Sequence, residues 1–244
     1  MSSIKVVGFD LDDCLFDSTG LSERARVKGI KAMISLGLKI DYEKAKTLIQ
    51  EIVIEYGSNS SKHYDYFLRR LNEIENVSIS LNDQYKYIAA AVMAYHKEKI
   101  DSIRLYEDVQ YCLVNLKERG IKTVIISDGI PIKQYEKILR LGIDKFSDYI
   151  IISDEIGIRK PNPKLFDYFL NKYNIKPNEM IYVGDNIFKD IKPANINGVL
   201  SVYIHRGGKY DIDLSGQQLN SDEKPDFEIS NLNELFKILD NLNK

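Results

Sequence analysis

The sequence predicts an α/β protein: a Rossmann-like parallel sheet core with a helical domain inserted after the first strand. Three observations predict it. Short β-branched runs recur after residue 100, each followed by a helical stripe, which is the rhythm of a parallel sheet covered on both faces. A single strand-like run opens the chain, and only the later region can supply its partners. Between the two, residues 18–100 show helical periodicity with no strand-like run. The expected domains are a core of residues 1–17 and 101–244 and a helical domain of residues 18–100. A length of 244 residues suits one to two domains.

The elements follow in order. Ile4 to Phe9 is a short apolar run that stops at an acidic cluster, as a buried strand does. Leu21 to Leu36 is helical with an irregular stripe. Ala45, Leu48, Ile49, Ile52, Val53 and Tyr56 recur at i, i+3, i+4 and i+7, with Asp41 as N-cap and Gly57 as the stop. Tyr64, Phe67, Leu68 and Leu71 repeat the pattern, as do Tyr85, Ile88, Ala89 and Val92 behind Asn82. Val109, Cys112, Leu113 and Leu116 mark a helix ended by Gly120. Lys122 to Ile126 is a strand, Lys133 to Leu141 a helix ended by Gly142, and Tyr149 to Ile152 a strand. Pro163 suits the first turn of a helix running to Tyr173. Met180 to Val183 and Val199 to Ile204 are strands flanking a helix near Asp190 to Asn197. Leu232, Leu235, Phe236 and Leu239 form a closing helix behind Ser230, and Gln217 to Lys224 reads as a surface loop.

Composition removes several classes of function. Lys+Arg total 34 and Asp+Glu 36, a net charge of −2, so no basic excess attracts nucleic acid or an anionic membrane. Hydrophobic residues at 44% and charged residues at 29% describe a folded chain and not a disordered one. No run of about 18 apolar residues is present to span a bilayer, and the N-terminus lacks the pattern of a signal peptide. Cys14 and Cys112 make neither a disulfide framework nor a zinc site. A cytoplasmic protein is expected, with monomer and homodimer both open.

In open α/β sheets, ligands collect at the carboxyl ends of the strands. Here those ends carry Asp10, Asp12 and Asp13, then Ser127-Asp128-Gly129, then Gly184-Asp185-Asn186 with Asp190 nearby; another loop adds Arg159-Lys160-Pro161. Singly, each reads as a solvated loop or a turn. Together they deliver carboxylates, a hydroxyl and a lysine to one edge.

These segments resemble the four motifs of the haloacid dehalogenase superfamily. Asp10-Leu11-Asp12-Asp13-Cys14 is similar to the first, Asp-x-Asp-x-Thr; Ser127 to the second; Lys160 with Pro161 to the third; Gly184-Asp185 through Asp190 to the fourth. The helical insertion matches the family's cap between the first and second motifs. Asp190 to Lys209 resembles the tail of the capped phosphatases, archaeal glyceraldehyde 3-phosphate phosphatases among them. The resemblance implies a Mg²⁺-dependent phosphatase acting on small phosphorylated metabolites, glyceraldehyde 3-phosphate or phosphoglycolate being candidates. It implies Asp10, the backbone carbonyl of Asp12, and Asp185 as metal ligands, with Asp190 in support. Asp10 is expected as the nucleophile, Asp12 as general acid and base, and Lys160 as the balancing charge. Ser127, Asp128 and Lys160 are expected to hold the phosphate.

Two positions depart from the family pattern: Cys14 stands where threonine is usual, and Asp128 where asparagine is common. Cys14 keeps a small side chain suited to packing. Gly20, six residues on, excludes a cysteine-phosphatase loop, which needs arginine there. Asp128 is tolerable if its backbone N–H is what matters and unfavourable if its carboxylate points at phosphate. His63, His96 and His205 have no second ligand at metal spacing and read as surface or packing residues. Arg24 and Arg26 read as solvated-face residues. Gly207-Gly208-Lys209 is half a P-loop, but Tyr203 stands where its first glycine belongs.

Three competing functions are weighed. A 2-haloacid dehalogenase uses the same nucleophile on carbon, but needs no metal and no second acid at the Asp12 position. A receiver domain carries its phosphoacceptor after the third strand, without a helical domain behind the first acids. A catalytically silent binding protein on this scaffold would not require every charged motif position, yet all are present.

Overall fold

The computed structural model describes residues 3–75 and 77–242. It divides into two compact units, Met1–Thr19 with Ile103–Lys244, and Gly20–Ser102. The junctions fall at 19/20 and 102/103, where the sequence suggests 17/18 and 100/101.

β1 (Val6–Phe9) opens the first unit. The second unit is built from α1 (Ser18–Ser35), which starts at the boundary, α2 (Tyr42–Tyr56), α3 (His63–Glu73) and α4 (Leu81–Ser102). Asp41 caps α2 as expected, its side chain accepting from the Lys44 N–H at 2.9 Å, and Gly57 ends the helix. Ile30, Met33, Ile52, Phe67 and Leu71 form the core of this unit.

The expected stripe of α4 is not the one that packs. Tyr85 and Val92 are exposed, and Tyr87, Ile88, Ala91 and Tyr95 face the core. Packing is close there: a Cβ on Gly29 of α1 would collide with the Tyr64 side chain of α3 and lie 3.0 Å from the Ala91 carbonyl oxygen of α4. The start also differs. Ser80 accepts from the Asp83 N–H at 3.1 Å and donates to its carboxylate at 2.7 Å, which leaves Asn82 inside the helix. Arg26 is buried and not solvated, donating to the Ser58 carbonyl at 3.0 Å.

The first unit continues with α5 (Glu107–Glu118), β2 (Lys122–Ser127), α6 (Pro131–Leu141), β3 (Tyr149–Ile152), α7 (Ser153–Ile156), α8 (Lys164–Tyr173), β4 (Met180–Gly184), α9 (Lys192–Ile196), β5 (Leu200–Ile204), β6 (Phe227–Ile229) and α10 (Leu235–Leu242). The strands form one parallel sheet in the order β3-β2-β1-β4-β5-β6. Because β1 pairs with both β2 and β4, the chain reverses its direction of winding at the centre of the sheet. Such a reversal opens a crevice at the strands' carboxyl ends. Val6, Val124, Ile126, Phe166, Phe169 and Tyr182 anchor one face.

Two elements were not anticipated, α7 and β6. Both are too short for periodicity to register. Asn231, not Ser230, caps the closing turn, accepting from the Asn233 N–H, while Glu234 accepts from the Ser230 and Asn231 N–H groups. No helix among the described residues is long and apolar enough to cross a membrane.

Candidate active site

β1 and β4 lie side by side, so the residues that follow them meet. The Asp10 N–H donates to the Val183 carbonyl at 2.9 Å, and the buried Cys14 thiol donates to the same oxygen at 3.7 Å. Cys14 therefore packs the loop against β4, and burial pushes its thiol well above the usual range. After β4, Asn186 accepts from the Phe188 and Lys189 N–H groups at 3.0 Å and caps a π-helical turn, Ile187–Ile191. The turn carries Asp190 back over the strand end. Gly184 permits this, because a Cβ there would collide with the Asp190 side chain.

Three buried carboxylates converge: Asp10, Asp185 and Asp190 each place an oxygen within 4.8 Å of the others. Lys160 lies among them. Its Nζ donates to Asp10 Oδ1 at 2.5 Å, to Asp190 Oδ1 at 2.6 Å and to the Tyr182 hydroxyl at 3.3 Å. The second Asp190 oxygen accepts from the Asn186 N–H at 3.1 Å.

Electrostatics follow from burial. Loss of water pushes Asp10 up to about 7, against the pull of Lys160 and with the repulsion of Asp190. Burial and the repulsion of Asp10 and Asp190 push Asp185 up to about 9. Burial opposes the Lys160 charge, but Asp10 and Asp190 outweigh it and hold the ammonium well above its usual range. One lysine does not offset three carboxylates. A divalent cation does, and a donor set made only of oxygen suits a hard ion.

Asp12 is not in the convergent carboxylate set. Lys137 Nζ pairs with both of its oxygens at 2.7 and 2.8 Å, and Gln134 Nε2 donates to one at 2.9 Å. Burial works against its ionisation, but Lys137 and these hydrogen bonds prevail and hold it below the usual carboxylate range. Asp13 takes a left-handed conformation (φ 64°) and accepts from the Thr19 N–H and hydroxyl at 2.8 and 2.6 Å, tying down the start of α1.

Ser127 ends β2, its side chain buried and accepting from Gln134 Nε2 at 2.6 Å. Asp128 accepts from the Lys160 N–H at 3.0 Å, so its carboxylate joins the second and third motif loops. An asparagine oxygen would accept the same bond, so this contact does not by itself select the acid. His63 pairs with the Gly57 carbonyl, and His205 lies between Asp211 and Glu228. Sequence reasoning missed Gln134, Lys137 and the hydroxyl of Tyr182. A signal existed for the first two: α6 begins at Pro131, close behind Ser127, and positions 134 and 137 share one face of its first turns.

A model of the haloacid dehalogenase-like hydrolases matches residues 4–198. The chain belongs to that family, and it is an enzyme of the hydrolase class. A protein of Methanopyrus kandleri named glyceraldehyde 3-phosphate phosphatase is 42% identical over 243 residues, covering 99% of both chains. A Pyrococcus furiosus protein of the same name is 40% identical, covering 100% of this chain and 96% of its own. Among solved structures, a putative β-phosphoglucomutase of Thermotoga maritima superposes with a TM-score of 0.68 at 16% identity, covering 98% of this chain and 99% of its own, which shows the shared fold.

Proposed function

We propose that the protein is a Mg²⁺-dependent phosphatase that hydrolyses a small phosphorylated metabolite through an aspartyl phosphate on Asp10. The observation that carries this reading is the cluster of three buried carboxylates around a single lysine. Glyceraldehyde 3-phosphate is the first substrate to test, supported by the names of relatives that align over nearly the whole chain. The helical unit is read as the family's cap, from its insertion between the first and second motif loops, and as the source of substrate selection.

Asp10, Asp185 and the Asp12 carbonyl would hold Mg²⁺, with Asp190 in support. Bound there, the ion supplies positive charge for the carboxylates and the phosphoryl oxygens. Asp10 attacks phosphorus, and the ester oxygen leaves with a proton from Asp12. Water then attacks the aspartyl phosphate, Asp12 takes its proton, and phosphate departs from a regenerated Asp10. The Lys137 pair favours the ionised form of Asp12, which suits its role as base in the second step, and the proton it takes from water there is the one it gives to the ester oxygen of the next turnover. Asp190 holds Lys160 against Asp10, and the Ser127 hydroxyl and the Asp128 backbone N–H hold the transferring oxygens.

Purified protein assayed with Mg²⁺ against triose, glycolate, sugar and nucleotide phosphates and against 2-haloacids tests this reading. Release of phosphate from a triose phosphate is expected, abolished by chelator and restored by Mg²⁺. Turnover of 2-haloacids with no phosphate ester hydrolysed would overturn it.

A further inference from the structure

Gln134 lies in the first turns of α6 and is 2% exposed. Its Nε2 touches three acceptors: Asp12 Oδ2 at 2.9 Å, Ser127 Oγ at 2.6 Å and the Asp128 carbonyl at 3.0 Å. A carbonyl oxygen can only accept, and so can an ionised carboxylate oxygen. The amide atom facing them must therefore be nitrogen, which fixes the orientation of the side chain. The amide has two hydrogens for three acceptors, so Ser127 Oγ, the nearest of them, shares one as an acceptor and cannot give its own hydrogen to the amide nitrogen. Its own proton is then turned away from Gln134 and is available to a ligand at the carboxyl end of β2.

We propose that Gln134 is a positioning residue for phosphoryl transfer: it holds Ser127 Oγ as an acceptor, so that the Ser127 hydroxyl donates to the transferring phosphoryl oxygens, and it holds Asp12 beside Lys137. A serine hydroxyl rotates freely in the absence of such a partner. With it, the donor is aimed before substrate arrives, and no reorganisation is needed during reaction. The inference rests on the phosphatase reading and adds to it a residue outside the four motif loops.

Gln134→Met keeps the length of the side chain and removes the donor. With p-nitrophenyl phosphate the leaving group needs little protonation, so kcat/KM reads transfer to Asp10 and hence the Ser127 arm. The expected loss is about tenfold, less than the ~10²–10³-fold of deleting a transition-state donor outright. The Ser127→Ala/Gln134→Met double variant should stay within about twofold of Ser127→Ala alone, because the second change acts through the first. A purely structural role would instead carry its full loss into the Ser127→Ala background. Gln134→Glu replaces the donor by an acceptor that draws the Ser127 proton to itself, and should lose more than Gln134→Met; it serves alone if Gln134→Met fails to fold. Wild-type kcat/KM in a folded Gln134 variant, or an undiminished loss in the Ser127→Ala background, overturns the inference. A wild-type protein that hydrolyses no phosphate ester overturns the phosphatase reading beneath it, a separate outcome.

Discussion

Lys160 and His205, both in the first unit, each lie between two carboxylates, and water separates their roles. Lys160 lies between Asp10 and Asp190 with side-chain exposures of 2%, 9% and 2%. His205 lies between Asp211 and Glu228 with exposures of 27%, 18% and 50%. Around His205, solvent screens the surplus acid and the cluster is complete in itself. Around Lys160 a third carboxylate, Asp185, is added and water is removed, so Asp10 and Asp185 rise to about 7 and about 9. Excess charge of one sign held away from water is unfavourable unless a ligand completes it. The difference teaches which acidic cluster marks the site.

The largest effect is expected where the buried cation is removed. Lys160→Met leaves Asp10 and Asp190 without their partner, which costs about 3–5 kcal/mol for a buried pair, and turnover should disappear. Denaturant unfolding and a phosphate-release assay check both. Wild-type stability would show that the carboxylates do not need Lys160.

A smaller effect separates Asp185 from Asp13, two nearby acids with different surroundings. Asp13 uses both oxygens on Thr19, whereas Asp185 points into the convergent set. Asp185→Asn should weaken the response of activity and Tm to Mg²⁺ by more than the ~10–100-fold typical of losing an outer partner. Asp13→Asn should lower Tm and leave the response to Mg²⁺ in place. Equal Mg²⁺ responses in the two variants would remove Asp185 from the ligand set.

The smallest effect belongs to His205. Burial alone would lower its pKa, but Asp211 and Glu228 prevail and raise it. A raised value in the folded protein contributes stability in full below the unfolded value, and loses it as pH rises through the folded one. His205→Gln should therefore lower Tm at about pH 6, by the equivalent of ~0.2–1 kcal/mol, with the difference fading by about pH 9. A pH-independent difference would mean that packing, not charge, sets the role of His205.

Much of this site was legible in the sequence, because chemistry sits where apolar runs stop. Asp10, Ser127 and Asp185 each follow a β-branched or apolar strand, and a parallel sheet brings such ends to one edge. Gln134, Lys137 and Tyr182 were not legible. They lie inside a helix and a strand, where periodicity reports burial but not which loop a side chain reaches. The packed face of α4 was hidden for a related reason: apolar residues lie on both of its faces, and periodicity alone does not choose between them. Asp128 shows the limit from the other side, since its place in a motif could not reveal that it accepts from the Lys160 backbone.

The most direct measurement is mass analysis of protein quenched in acid during turnover of p-nitrophenyl phosphate with Mg²⁺. Asp12→Asn should slow turnover by roughly 10²–10⁴-fold and hydrolysis of the intermediate most, since this leaving group needs little help. The quenched Asp12→Asn protein is expected to carry one phosphoryl group on Asp10, removable by hydroxylamine, while the Asp10→Asn protein carries none. Steady phosphate release by the wild-type protein, with no phosphoryl group trapped on Asp10 in either the wild-type or the Asp12→Asn protein, would contradict the covalent route.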